Sequence, residues 1–313
     1  MGDYIVVLGD INADITAFTK RLPKIGESVT GKEVNTYPGG KGANQADQCA
    51  KLGVKTYMIG RTGSDFQGIT VLKSMRDDGI DCSYVKVAED EKTGCAVINI
   101  DENGKNTLVY TPAANMGFTK EDIDKVKDLI VNAGVFISQN AINQDVIVYA
   151  LKIAHEAGVT TIFNPAPASE LPQKIYEYVD FITPNETESE LFTGILMKDH
   201  TPEEWRAQTK QWFFDQGVKR ICITMGSDGV FYADKEEEMV IPAFKIDPID
   251  TTAAGDSFHG GLAYGLINDY SLDIALRIGC ACGGMTSMGK GAQSSIQRIE
   301  KVKQFMEKNG VLI

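Results

Sequence analysis

The chain has 313 residues, 43% hydrophobic and 24% charged, which supports a large buried core and excludes a disordered polymer. Its formal net charge of −12 excludes an extended basic surface of the kind that grips nucleic acid or anionic lipid. No apolar stretch approaches the roughly 18 residues of a membrane span, and the opening Met-Gly-Asp leads straight into an apolar run, so a cytoplasmic protein without a secretory leader is expected. In chain order, apolar runs predict strands over 5–8, 56–59, 135–138, 160–163, 181–183 and 221–224. Helical spacing predicts helices over 43–51, 68–77, 147–157 and 203–216, falling between those strands. This alternation predicts one α/β domain over 1–313, a mainly parallel central sheet flanked by helices on both faces.

Two segments break the rhythm. Residues 14–37 carry short polar-alternating strands with the turn residues Pro23 and Gly26, and residues 93–112 read as a hairpin turning at Asp101-Glu-Asn-Gly104. Neither fits a βαβ crossover, so together they form a small discontinuous β-layer that either caps a ligand site or merely ornaments the fold. The six cysteines, Cys49, Cys82, Cys95, Cys222, Cys280 and Cys282, form no C-x-x-C pair and no zinc-ligand spacing. They read as buried free thiols.

The segment Asp250-Thr-Thr-Ala-Ala-Gly-Asp256 runs small residues into a helix whose apolar positions Phe258, Leu262 and Leu266 recur every four residues. Asp256 then falls in the first turn, beside unpaired N–H groups and the positive end of the helix dipole. That placement alone suits a plain helix-start acid. Ala253, Ala254 and Gly255 also remove side-chain bulk and open backbone amides to an anion. Phosphoryl transfer needs such amides together with a base that aligns the attacking hydroxyl. On these residues alone the two readings stand level.

Four further segments carry polar groups at the ends of elements. In Pro38-Gly-Gly-Lys-Gly-Ala-Asn44, Gly39 and Gly40 permit close approach of backbone to a ligand, while Lys41 and Asn44 suit sugar hydroxyls. Asn12 and Asp14 follow the first strand, where parallel sheets bind ligands, and can grip vicinal hydroxyls. Thr183-Pro-Asn-Glu-Thr-Glu188 places Asn185 and Glu188 at a helix start, where an acid can order Mg²⁺ through water. Thr224-Met-Gly-Ser-Asp-Gly229 brings Thr224, Gly226, Ser227 and Gly229 into a turn suited to phosphates. A flexible loop, solvated loop residues, helix capping and an ordinary β-turn explain each of these equally well in isolation. Gly26-Glu-Ser-Val-Thr-Gly-Lys-Glu33 imitates a P-loop but ends in Glu33 where the metal-binding hydroxyl belongs, and no G-x-G-x-x-G run is present. His259 lies one helical turn from Asp256 and suits supporting packing.

Gly39-Gly-Lys-Gly-Ala-Asn-Gln45, Asn164-Pro-Ala-Pro-Ala168, Pro184-Asn-Glu-Thr-Glu188, Asp250-Thr-Thr-Ala-Ala-Gly-Asp256 and Lys290-Gly-Ala-Gln293 together make nearly the whole chain closely resemble the ribokinase-type family of carbohydrate kinases. The resemblance implies a ribokinase-like fold whose β-lid covers the sugar and forms a homodimer interface. It implies transfer of the γ-phosphoryl group of MgATP to a primary hydroxyl of a pentose, D-ribose first. Deoxyribose, a fructose-like hexose or a nucleoside are the alternative acceptors, and a non-catalytic sugar or nucleotide sensor is the non-enzyme alternative. A sensor has no need of Asp256, Gly255 and Glu188. By the same resemblance Asp256 is the base, and the backbone of Ala253, Ala254 and Gly255 forms the anion hole. Asn12, Asp14, Gly39, Gly40, Lys41 and Asn44 meet the sugar. Asn185, Thr224, Gly226, Ser227, Gly229, Gly255 and Cys280 meet the nucleotide, and Glu188 orders Mg²⁺. Asp250, Thr252, Thr286, Gly289, Gly291 and Ser295 surround a monovalent cation such as K⁺. One position departs from the pattern: Ala141 stands where the family has a sugar-contacting glutamate. That removes a charge-assisted hydrogen bond worth roughly 1.5–3 kcal/mol, with Asn140 or Asn143 the nearest substitutes.

Overall fold

A computed structural model describes residues 2–313. The amino-terminal third contains β1 (Tyr4–Leu8), β2 (Asn12–Thr19), β3 (Gly31–Gly39), α1 (Lys41–Lys51), β4 (Lys55–Gly63), α2 (Phe66–Asp77), β5 (Asp81–Ala88), β6 (Gly94–Ile100) and β7 (Asn106–Thr111). The middle holds α3 (Lys120–Asp124), α4 (Lys127–Val131), β8 (Val135–Gln139), α5 (Gln144–Glu156), β9 (Thr160–Asn164), β10 (Phe181–Ile182), α6 (Glu186–Thr193) and α7 (Pro202–Asp215). The remainder comprises β11 (Arg220–Thr224), β12 (Val230–Ala233), β13 (Glu238–Ile241), α8 (Ala254–Ile267), α9 (Leu272–Ser287) and α10 (Ile299–Lys308).

Nine strands form one sheet in the order β13-β12-β11-β10-β9-β8-β1-β4-β5. Every pairing from β11 to β5 is parallel, and only β12 and β13 add antiparallel strands at one edge. Strand β1 shows why the sheet is covered twice. Ile5 and Val7 point into a core shared with α1, α2, α8 and α9, while Val6 and Leu8 point into a core shared with α3, α4, α5 and α7. All four are fully buried, as the two-residue period of a doubly covered strand requires.

The predicted helices are present, each starting one to three residues earlier than its apolar spacing announced: α1 opens straight from Gly40 without a side-chain cap, and in the other three a polar cap precedes the apolar face. Asp65 caps α2, Asn143 caps α5, and Thr201 with Glu204 forms a capping box at α7, where Pro202 takes the first turn. The expected β-layer is a separate four-stranded sheet, β3-β2-β6-β7, in which β2 pairs in parallel with β6 across a long sequence separation. The hairpin turn falls at Asp101–Gly104, with Gly104 at positive φ. The P-loop imitation runs from the exposed loop before β3 into that strand and forms no phosphate cradle.

What positions the site is the reversal of strand order at β1. The chain adds β4 and β5 on one side of β1 and β8 onward on the other, which leaves a crevice beyond its carboxyl end. The small sheet springs from that point, because β2 begins at Asn12 and β3 returns to α1 through Gly40.

Candidate active site

Beyond β1 the backbone of Gly9 and Asp10 lies directly under the start of α1. A Cβ on Gly42 would sit 2.8 Å from Gly9, and Gly40 takes a φ of 94° against the Asp10 carbonyl, so this crossing admits only glycine. Asp10 is buried and accepts from the Gly42 N–H (3.0 Å) and from Asn12 Nδ2 (2.8 Å). Asn12 in turn accepts from Asn115 Nδ2 (2.8 Å), and Asn115 also clasps the backbone of Ile11. Asp14 projects from β2 beside Gly39, where a Cβ would come within 2.2 Å of its carboxylate. Burial, then the charges of Asp10 and Asp256, push the Asp14 pKa up to about 6. Burial likewise raises Asp10, against the pull of the Gly42 N–H and Lys41.

Asp256 reaches the same crevice from the first turn of α8. It is buried and accepts from Asn44 Nδ2 and Gln45 Nε2, each at 3.0 Å. Burial opposes the charge of Lys41, but Asp256, Asp10 and Glu188 outweigh it and hold its pKa above the lysine range. The turn into α8 places Ala253 at φ 61°, an uncommon left-handed conformation for alanine. The N–H groups of Gly255 and Asp256 have no partner among the described residues. A Cβ built on Gly255 would meet nothing within 4 Å, so the space in front of these amides is open.

The two loops expected to meet a nucleotide lie at the carboxyl ends of β10 and β11 and are joined to each other. Thr224 donates its N–H to the Pro184 carbonyl, and Asn185 bridges to Thr224. Gly226 and Gly229, flanking Ser227, both adopt positive φ, and Gly229 packs against the Ile241 carbonyl. Glu188 completes a capping box with Asn185, one oxygen accepting the Asn185 N–H at 2.9 Å. Burial raises the Glu188 pKa, the Asn185 N–H and Lys41 oppose the rise, and Asp256 adds to it, so its field reaches the acceptor side. Cys280, expected on the nucleotide side, is half-buried against the core beside Cys222, its thiol pushed up to about 12 by burial. His259 is buried with Nε2 2.6 Å from Thr183 Oγ1, and burial lowers its pKa to about 4, so it packs as a neutral ring.

Asp250 ties two loops together, accepting from Thr252 N–H and Oγ1 and from the Gly291 N–H. These donors lower its pKa against the effect of burial. Nearby, Ser295 Oγ is buried without a partner, beside Gly289, and Thr286 Oγ1 donates to Ser257. No cluster of three or more His, Cys, Asp or Glu fit to hold a metal exists among the described residues.

Ala141 lines a cavity of about 700 Å³ together with Tyr110, Met116 and Gln144. Both neighbouring asparagines, the expected substitutes, line the same cavity. Asn140 donates to the Pro167 carbonyl and Ser169 and accepts from Gln144, while Asn143 caps α5.

Sequence reasoning had not assigned Asp10, Gln45, Asn115, Gln139 or Gln293 to the site. Asp10 carried the same signal as Asn12, and Gln45 and Gln293 stand inside motifs already singled out. Gln139 opens the segment 139–144 that holds Ala141, and Asn115 gave no signal, because only the tertiary fold brings it in.

A buried carboxylate and an open amide turn beside one crevice suit a phosphotransferase with an alcohol group as acceptor, and the comparisons with known proteins agree. A family model described as pfkB family carbohydrate kinase matches residues 3–299. The ribokinase of Haemophilus influenzae is 35% identical over 307 residues, covering 98% of this chain and 99% of that protein. The deoxyribokinase of Salmonella typhi is 30% identical over 306 residues, covering 97% and 99%. The solved structure of Arabidopsis thaliana ribokinase complexed with ribose and ATP superposes with a TM-score of 0.93 at 30% identity, covering 98% of this chain and 99% of that one. The chain belongs to the pfkB family of carbohydrate kinases.

Proposed function

We propose that this protein transfers the γ-phosphoryl group of ATP to the primary hydroxyl of a pentose, with D-ribose as the first acceptor. The observation that carries this is Asp256, a buried carboxylate at the open first turn of α8, facing the acceptor loops on which Asp10, Asn12, Asp14 and Lys41 stand. The ribose and ATP in the Arabidopsis relative support the choice of substrates.

In the reaction Asp256 accepts the proton of the acceptor hydroxyl. That oxygen bonds to the γ-phosphorus as the bond from phosphorus to the bridging oxygen breaks, and ADP leaves with the electron pair. The N–H groups of Gly255 and Asp256 and the ammonium of Lys41 stabilise charge on the transferring group. Asn12 and Asp14 orient the sugar, while Asn185, Thr224, Gly226, Ser227 and Gly229 bound the nucleotide. Mg²⁺ would neutralise phosphate charge when bound, and Glu188, whose other oxygen accepts the Asn185 N–H, would hold it through water. The unpartnered Ser295 hydroxyl, with Asp250, Thr252, Thr286, Gly289 and Gly291, fits a monovalent cation such as K⁺. The small sheet serves as the lid over the sugar. Its outer face presents exposed Val34, Val97 and Val109, a surface suited to a second copy of the chain. Six free cysteines fit a reducing cytoplasm, and no helix among the described residues is long and apolar enough to cross a membrane.

A second acceptor, 2-deoxyribose, is favoured by Ala141: a wall without a hydroxyl-binding carboxylate discriminates less against a sugar lacking a hydroxyl. ADP release measured over a panel of pentoses, hexoses and nucleosides tests both readings, with ³¹P NMR locating the ester. Phosphorylation of D-ribose at its primary hydroxyl is expected. Activity confined to hexoses or nucleosides would refute the acceptor class.

A further inference from the structure

The two carboxamides that grip Asp256 are themselves oriented from one layer further out. Gln139, the last residue of β8, donates through Nε2 to Gln45 Oε1 at 2.7 Å. Gln293, in the turn before α10, donates through Nε2 to Asn44 Oδ1 at 3.2 Å. Asn44, Gln45, Gln139, Gln293 and Asp256 are all buried. A carboxamide has one accepting and one donating end. With the accepting ends of Gln45 and Asn44 filled from outside, their NH₂ groups face the carboxylate. Turned over, either would set its oxygen against Asp256.

A second observation points the same way. Gln139 and Gln293 each leave their own Oε1 buried without a partner. Both side chains are thus held with their donors spent on the grip and their acceptors unmet. Gly9 is part of this arrangement, because a Cβ there would fall 1.9 Å from Gln139 Oε1.

We infer that Gln139 and Gln293 are positioning residues for phosphoryl transfer, fixing Gln45 and Asn44 so that Asp256 keeps one orientation toward the acceptor hydroxyl. This rests on the reading of Asp256 as the base. One lone pair on each carboxylate oxygen is committed to the protein, and the others remain for the substrate.

The test uses Gln139→Met and Gln139→Glu in the full chain, with active sites counted by MgATP binding. Gln139→Met removes the donor and lowers kcat by roughly 10- to 100-fold, the scale of a small misplacement of a reacting group, with the MgATP KM within about twofold. The carboxyl introduced by Gln139→Glu only accepts when ionised and turns Gln45 over. Protonated, it donates as the amide did. The ratio of Gln139→Glu to wild-type kcat therefore rises as pH falls, whereas the Gln139→Met ratio stays flat. A purely structural role changes Tm and the yield of active sites and leaves both ratios near one at every pH, which would overturn the inference. If Gln139→Met does not fold, Gln293→Met reads the same effect through Asn44. Asp256→Asn separates the two failures: wild-type activity there sinks the base reading, while an inactive Asp256→Asn beside normal Gln139 variants sinks only this inference.

Discussion

Asp14 carries the most readable electrostatic signature of the acceptor pocket. Its carboxyl, near 4 in an unfolded chain, is pushed up to about 6 by burial and by Asp10 and Asp256. Below that value the group is neutral and loses the charge-assisted bonds a sugar hydroxyl makes to a carboxylate. The kcat/KM for sugar therefore falls about tenfold per unit as pH drops through 6, and this limb vanishes in Asp14→Asn; an unchanged limb in the variant would assign it elsewhere. The stability effect has the opposite sign. The folded chain binds a proton that the unfolded chain releases, so the contribution of Asp14 to stability is lost as pH rises from about 4 to about 6, and Asp14→Asn raises Tm at neutral pH. Ala141 provides the specificity test. With Asn140 donating to Pro167 and Ser169 and Asn143 accepting the Asp145 N–H, Ala141→Glu is expected to raise the kcat/KM preference for ribose over 2-deoxyribose by about tenfold or more. No change in that ratio would remove residue 141 from the acceptor pocket.

The elements explain which parts of the site the sequence could announce. Residues 250–256 were legible because a run of small residues entering a four-residue apolar period has few other uses, and the structure places Asp256 in the first turn of α8. Glu188 was legible as a helix-start acid, and it is one: a capping box fixes one oxygen and leaves the other for chemistry. The parallel pairing of β2 with β6, the short α3 and α4, and the antiparallel β12 and β13 were not legible, since each depends on partners distant in sequence or on an edge position. The amide array around Asp256 was hidden for the same reason, its members coming from α1, β8 and the turn before α10. The first turn of α8 yields its own prediction. Gly255 has an unrestricted helical position with nothing within 4 Å of a Cβ, so Gly255→Ala fits the fold and is expected to keep or raise Tm. The added methyl fills the space in front of the amides and lowers kcat on the order of 100-fold. A variant with normal kcat would mean that no phosphoryl group passes there.

At the scale of the whole molecule, the large sheet supplies the crevice, and the small sheet is the element we propose as its cover. Both depend on the reversal of strand order at β1. Val34, Val97 and Val109 form an apolar face on the side of the small sheet away from Asp14, and a single copy leaves it in water. Light scattering is expected to give a dimer for the wild type and a monomer for Val97→Lys with Val109→Lys. A monomeric wild type at micromolar concentration would contradict that use of the face. The family explains the reaction, and one carboxylate concentrates the claim about how it is run. Steady-state ADP release with D-ribose therefore decides it, comparing wild type with Asp256→Asn. The expected result is turnover by the wild type, with kcat in the variant lowered by at least about 100-fold and the MgATP KM within twofold. A variant that keeps wild-type kcat, or a wild type that binds ATP and phosphorylates no sugar, would contradict it.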